Sequence, residues 1–109
     1  MSNTETTTRA DAATVPARVR PQLLFFYSRS SGHSRRVEGL LAQVLQRRRN
    51  HETFQVRRLD YEEHGDLARR CGVSEAPALV VVREKRVQAR IERPRGCTEI
   101  QTVLAPWLR

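Results

Sequence analysis

The run Gln22–Tyr27 (QLLFFY) constrains this chain more than any other feature. It is unbroken, apolar and aromatic, bounded by Pro21 on one side and a serine cluster on the other. A short run of this kind has no wet face. It suits a strand buried on both faces, the kind found at the centre of a parallel sheet. The remaining residues therefore have to supply covers for two faces.

One cover follows directly. Over Ser34–Arg48, the side chains Val37, Leu40, Leu41, Val44 and Leu45 recur at helical spacing and make a single apolar stripe. Ser31 is placed to cap this helix, and Arg47, Arg48 and Arg49 stand where its C-terminal dipole favours cations. Thr53–Asp60 alternates through Phe54, Val56 and, after a slip, Leu59, and reads as a second strand. Glu63–Arg70 reads as a short helix stopped by Gly72.

Ala78–Arg83 (ALVVVR) is a strongly β-branched strand, and Arg83–Arg86 a tight polar turn. Val87, Ala89 and Ile91 then alternate with Gln88, Arg90 and Glu92, as in a strand with one wet face. Pro94–Gly96 breaks the pattern. Thr98 and Gln101 have the spacing of a capping box opening a last helix through Ile100, Val103, Leu104 and Trp107, which Pro106 should end or kink. The order is β-α-β-α-β-β-α, an α/β fold with a mixed four-stranded sheet flanked by helices. Crossover helices make the first pair of strands parallel, and the tight turn makes the last pair antiparallel.

Composition sets the outer bounds. The chain has 109 residues, 39% of them hydrophobic, enough for one domain with an ordinary core. Residues 1–20 are polar and rich in Thr and Ala; they are expected to form a disordered polar tail ahead of a domain at 21–109. No stretch has the length of a membrane span, and the N-terminus lacks the apolar block of a secretory signal. Its Thr, Ala and Arg content suits mitochondrial import, but Glu5 and Asp11 count against that. A cytoplasmic location with no membrane partner is expected.

Twenty basic residues against twelve acidic leave a net charge of +8, and Lys85 is the only lysine. So one-sided an arginine preference fits a GC-rich coding sequence as well as a selected surface. The excess attracts nucleic acid, acidic proteins and anionic metabolites alike. Nucleic-acid readers of this size interleave exposed aromatics with basic residues, whereas most of Phe25, Phe26, Tyr27, Phe54, Tyr61 and Trp107 fall at expected core positions. Weak, salt-sensitive contact with nucleic acid is all the charge supports. Cys71 and Cys97 form neither a Cys-x-x-Cys pair nor a zinc pattern, and His33, His51 and His64 share no ligand spacing with them. No metal and no cofactor are expected, and in a reducing compartment both cysteines are free thiols.

Two stretches carry a more specific signal. Phe26-Tyr27-Ser28-Arg29-Ser30-Ser31-Gly32-His33-Ser34 aligns without a gap to a pattern like F-W-A-E-W-C-G-P-C. Cys71-Gly72-Val73-Ser74-Glu75-Ala76-Pro77-Ala78 aligns to one like Y-G-I-x-x-x-P-T before an apolar strand, and Leu59-Asp60-Tyr61-Glu62 falls at the expected end of the second strand. Over Gln22–Arg109 the chain thus resembles the thioredoxin family. The resemblance implies a thioredoxin-like fold and a cis Ala76–Pro77 bond with Pro77 facing the Ser31–Ser34 turn. It also implies that the backbone beside the proline pairs with an extended peptide.

The same alignment marks a loss. Thioredoxin chemistry needs a thiolate at a helix N-terminus and a second thiol three residues on. Ser31 and Ser34 hold those positions here, and a serine hydroxyl neither ionises by these means nor forms a disulfide. The family's buried carboxylate falls at Phe25, and its tryptophan before the first cysteine at Ser30. Dithiol–disulfide exchange at this motif is excluded chemically, and no catalytic residue is expected there. His33 beside the serines has no acid to orient its imidazole and reads as a solvated side chain.

The expected function is therefore that of a redox-inactive thioredoxin-like domain. A protein or peptide partner would sit between Ser31, Gly32, His33, Ser34 and the Ala76–Pro77 edge. Free amides of the helix N-terminus, with Arg29, Arg35 and Arg36 beside them, would attract an acidic group or other anionic ligand. A plainer reading, in which the serines only cap and the arginines are only solvated, stays open. So does a thiol–disulfide or glutathione-linked enzyme in which Cys97, before the last helix, faces Ser31 and Pro77 across the cleft, and so does weak nucleic-acid binding. Cys71 reads as a packing residue.

Overall fold

The computed structural model describes residues 20–108. Its elements are β1 (Gln22–Tyr27), α1 (Gly32–Gln46), β2 (Gln55–Asp60), α2 (Gly65–Arg70), β3 (Ala78–Arg83), β4 (Arg86–Glu92) and α3 (Cys97–Leu104). A 3₁₀ segment, Arg47–Glu52, links α1 to β2. The four strands make one mixed sheet in the order β2-β1-β3-β4, with β1 parallel to β2 and antiparallel to β3, and β3 antiparallel to β4. The expected tail lies outside the described residues except for Arg20, whose guanidinium donates to the carbonyl of Glu52 at 3.2 Å.

The unbroken apolar runs now have their physical meaning. Alternate side chains of a strand enter opposite faces, so Leu23 and Phe25 of β1 join one core while Leu24 and Phe26 join the other. β3 divides likewise, with Leu79 and Val81 on the first side and Ala78 and Val80 on the second. α1 and α3 cover the first face through Val37, Leu41, Val44, Ile100 and Leu104, and Trp107 meets Phe54 edge-on at 6.3 Å between ring centroids. α2 covers the second with Ala68, followed by Cys71 and Val73. No helix among the described residues is long and apolar enough to cross a membrane.

Four local expectations are corrected. α1 ends at Gln46, so Arg47, Arg48 and Arg49 lie beyond its last α-turn. Buried Asn50 reverses the chain there: its Nδ2 donates to the Arg47 carbonyl at 2.7 Å and its Oδ1 accepts from Thr53 Oγ1 at 3.0 Å. β2 begins at Gln55, after buried Phe54, and Val56 is 40% exposed. An edge strand pairs on one side only, and just Leu59 and Asp60 of β2 are buried. α2 starts at Gly65 rather than Glu63.

Finally, α3 starts at Cys97 with Gly96 at its N-cap, and no side chain caps it in the manner expected of Thr98. Instead the Glu99 carboxylate reaches back to accept from the Arg95 amide. Two turn residues confirm tight geometry elsewhere. Glu84 and Lys85 both adopt left-handed φ, the form whose twist suits a two-residue hairpin. Gly72 stops α2 with φ +79°, and a Cβ there would collide with the Arg90 guanidinium.

Candidate functional site

The turn between β1 and α1 is closed by bonds between near neighbours. The Ser31 amide donates to the Ser28 carbonyl at 3.2 Å, and the Ser34 amide donates to Ser31 Oγ at 3.1 Å. The Ser28 amide in turn donates to Ser34 Oγ at 2.9 Å. Ser31 is thus the N-cap of α1, in extended conformation, as its sequence position implies. Ser34 is buried, with its oxygen tied to the turn. Of the four amides expected to await a ligand, at most those of Gly32 and His33 are left for one.

At the same end of the sheet, where Phe26 pairs with Ala78, the loop before β3 is held from β4. Glu92 Oε1 accepts from the Ser74 amide, the Ser74 hydroxyl and the Glu75 amide, each at 3.0 Å. The Ser74 amide is the main reason the Glu92 carboxyl lies below its ordinary range; partial burial opposes it, and the Ser74 hydroxyl, the Glu75 amide and Arg90 assist. Tyr61 Oη donates to the Ser74 carbonyl at 3.0 Å. The Ala76–Pro77 peptide is cis and Pro77 is buried. Arg93 closes the loop twice: its amide donates to the Pro77 carbonyl at 2.6 Å and its Nη1 to the Ala76 carbonyl at 3.2 Å. Its Nε lies 3.6 Å from Glu75 Oε1.

His33 joins the two sides. Expected to be solvated, it is half-buried instead, and its Nε2–H donates to the Pro94 carbonyl at 2.9 Å. The path His33–Pro94–Arg93–Pro77 therefore runs through hydrogen bonds and adjacent residues from one wall to the other. Beside it lies an open depression of about 560 Å³ lined by Gly32, His33, Arg36 and Arg95. Neither arginine forms an ion pair with a described residue.

The other expected arginines, Arg29 and Arg35, stay beside the turn and line a smaller depression with Ser28 and Ser34. Arg29 binds Asp60 at 2.8 Å and Glu63 at 3.1 Å, and these carboxylates, Asp60 first, hold its pKa above the ordinary value. Arg35 lies outside the large depression, in a smaller one with Tyr27, Glu38 and Arg58. Glu38 there pairs with Arg58 at 2.8 Å, and Arg58 covers the Tyr27 ring. Arg95, which sequence reasoning missed, joins Arg36 in the large depression. Its only sequence signal is a basic residue inside the Pro94–Gly96 break, between two elements bound to meet at the sheet end.

The thiols are also placed. Cys97 turns toward α1, with Sγ 3.2 Å from Gln43 Oε1 and 3.8 Å from the Leu40 carbonyl, and does not line the depression beside Ser31. Cys71 packs in the second core, where burial pushes its thiol pKa up against the opposing charge of Arg90. Both are free, and no group of three or more His, Cys, Asp or Glu among the described residues is placed to hold a metal. The arrangement at the start of α1 therefore offers two amides and two guanidinium groups that pair with no described residue: donors for a carboxylate or phosphate.

Comparison with known proteins adds the lineage of this arrangement. A family model described as Thioredoxin matches residues 4–106. No curated protein matches the chain. The reduced desulfothioredoxin of Desulfovibrio vulgaris Hildenborough superposes with a TM-score of 0.68 at 20% identity, over 83% of this chain and 84% of its own. The germline-specific thioredoxin Deadhead of Drosophila melanogaster gives 0.69 at 19% identity, over 84% and 85%. Oxidised mitochondrial thioredoxin 3 of Saccharomyces cerevisiae gives 0.67 at 16% identity, over 83% and 81%. At these identities the structural likeness is one of fold.

Proposed function

The chain belongs to the thioredoxin family, and from that premise we propose that it is a redox-inactive member that binds an acidic group of a protein or peptide partner at the Ser31–Ser34 turn. The observation that carries this reading is the open depression at the N-terminus of α1, lined by Gly32, His33, Arg36 and Arg95. A carboxylate seated there accepts from the Gly32 and His33 amides, gains from the helix dipole, and lies between two guanidinium charges. Each exposed charge pair contributes about 0.2–1 kcal/mol and the dipole about as much, so this anchor alone is weak and salt-sensitive. Affinity has to come from further surface on the partner.

Redox inactivity is supported by chemistry at both corners. The serine oxygens carry the hydrogen bonds that shape the turn, and the two thiols of the described chain lie elsewhere. Main-chain pairing by an extended peptide has less to use than the family resemblance implies, because Arg93 already takes the Ala76 carbonyl.

Two measurements test the proposal together. The wild type should not accelerate the reduction of insulin by dithiothreitol, while Ser31→Cys/Ser34→Cys should. A pull-down from native lysate should recover partners that Arg36→Glu/Arg95→Glu loses. Turnover by the wild type that Cys97→Ser abolishes, or identical captures by both baits, would overturn it.

A further inference from the structure

The two faces of the sheet are covered unequally. α1 and α3 cover one face, whereas α2, on the other, is a helix of only 6 residues. At the end of β1 away from the Ser31–Ser34 turn this second face is left partly open. A depression of about 300 Å³ lies there, lined by apolar Leu24, Leu67, Val82 and Val87. Val87 is 40% exposed, one of two large apolar side chains so exposed among the described residues.

Besides Gln22 and Cys71, the rest of its lining is basic. Arg57 comes from β2, Arg70 from α2 and Lys85 from the β3–β4 turn. None of the three forms an ion pair with a described residue, whereas Arg29, Arg58, Arg69, Arg90 and Arg93 all do. Three elements thus bring unpaired cations around one apolar patch. Surface charge of one sign around an apolar centre marks a partner of the opposite sign, since it raises the on-rate for such a partner and repels others.

We propose that this depression docks an acidic amphipathic segment of a partner protein. Its apolar side chains rest on Leu24, Leu67, Val82 and Val87, and its carboxylates meet Arg57, Arg70 and Lys85. The volume is at the lower limit of about 300 Å³ for small-molecule pockets and suits a few apolar side chains. Charge argues against the other occupants. A second copy carries the same net +8, and residues 1–19 set Arg9 and Arg18 against Glu5 and Asp11, with no acidic excess. The site lies away from the Ser31–Ser34 turn and stands or falls independently of the function proposed there.

The test uses the full chain and a labelled synthetic helical peptide with a leucine stripe flanked by glutamates, followed by fluorescence anisotropy at physiological salt. Arg57 and Arg70 are both exposed, so Arg57→Glu/Arg70→Glu should fold normally and weaken binding by about tenfold or more. The charge-matched Arg47→Glu/Arg49→Glu, on exposed residues outside both depressions, should bind as the wild type does. Replacing the peptide's leucines by serine should abolish binding. Equal binding of the serine peptide, or equal weakening by both double variants, would reduce the effect to bulk charge and overturn the proposal. So would nuclear Overhauser contacts in the free protein between residues 1–19 and Leu24 or Val82, or a dimer that Arg57→Glu/Arg70→Glu dissociates, since these assign the surface to the chain itself.

Discussion

The Ser28–Ser34 turn and the Ser74–Pro77 loop, a first and a second wall at the C-terminal end of β1, satisfy their backbone in different ways. Ser28, Ser31 and Ser34 close their turn with hydrogen bonds that span three to six positions. The Ser74–Pro77 loop takes its partners from further off: Tyr61 lies 13 positions before Ser74, and Glu92 and Arg93 lie 16 to 18 positions after the residues they hold. The first wall needs only serine. A hydroxyl accepts hydrogen bonds as well as any side chain of its size, so the turn keeps its shape when cysteine is absent. The second wall has most of its polar backbone taken: Ser74 and Glu75 amides by Glu92, the Ser74 carbonyl by Tyr61, the Ala76 carbonyl by Arg93. The acidic group of the proposed function would therefore draw its backbone donors from the α1 side.

The largest effect should come from removing the buttress. Glu92→Ala deletes three charge-assisted hydrogen bonds at the second wall and should cost about 2–3 kcal/mol at pH 7. The sign of the pH dependence follows from the lowered folded-state pKa. In the unfolded chain Glu92 takes up its proton first as acid is added. Its stabilisation is therefore complete above the ordinary glutamate range near pH 4.5 and is lost as pH falls through the lower folded value. Denaturant unfolding of wild type and Glu92→Ala from pH 7 to pH 2 should show a gap that narrows on acidification. A gap that stays constant would break the contrast between the walls.

Arg93 sharpens the same contrast with a smaller effect. It holds a left-handed φ of 53°, a conformation that costs an L-residue about 1–2 kcal/mol and glycine little. Its amide bond to Pro77 survives any substitution except proline, while its side chain alone caps Ala76. Arg93→Gly should therefore be more stable than Arg93→Ala by about 1 kcal/mol in the same unfolding assay, although both lose the guanidinium. Equal stabilities would mean that the backbone there is not as described.

The elements with a complete local signal were legible. β1 and β3 start and stop where their apolar runs do, because each run fills both faces of the sheet and ends at a polar residue or a proline. The α1 stripe and its Ser31 cap are equally local. The edge strand β2 was read less well, since with few of its side chains buried, alternation carries little information. The site divides along the same line. Ser31, Gly32 and Ser34 follow from the motif. The partner of His33 lies 61 positions away, and Arg95 reaches the depression only because the segment after β4 is tied down at both ends. The ties of His33 and Glu92 span 61 and 18 positions, so no short window contains them; only the Glu99 tie to Arg95 is local. Cys97 was expected in the loop before α3, but the N-cap is Gly96, two residues before Thr98, so Cys97 is the first residue of the helix and its thiol turns toward α1.

The smallest effect concerns the last of these ties. If Thr98 capped α3, Thr98→Ala would cost about 1 kcal/mol. In the structure Gly96 is the N-cap, Thr98 is exposed, and Glu99 at the third helical position accepts from the Arg95 amide. Thr98→Ala then removes no cap and substitutes a better helix former, so stability should stay within a few tenths of a kcal/mol of wild type. Glu99→Ala should cost about 0.5–1 kcal/mol, through the lost bond and the lost negative charge in the first turn. It should also shift the Arg95 amide resonance while leaving those of Ser31 and Ser34 in place, because those two amides bond only within their own turn. The reverse ranking of the two variants would place the tether of Arg95 in Thr98, and the second wall would then be fastened at a point other than the one that sets Arg95 opposite Arg36.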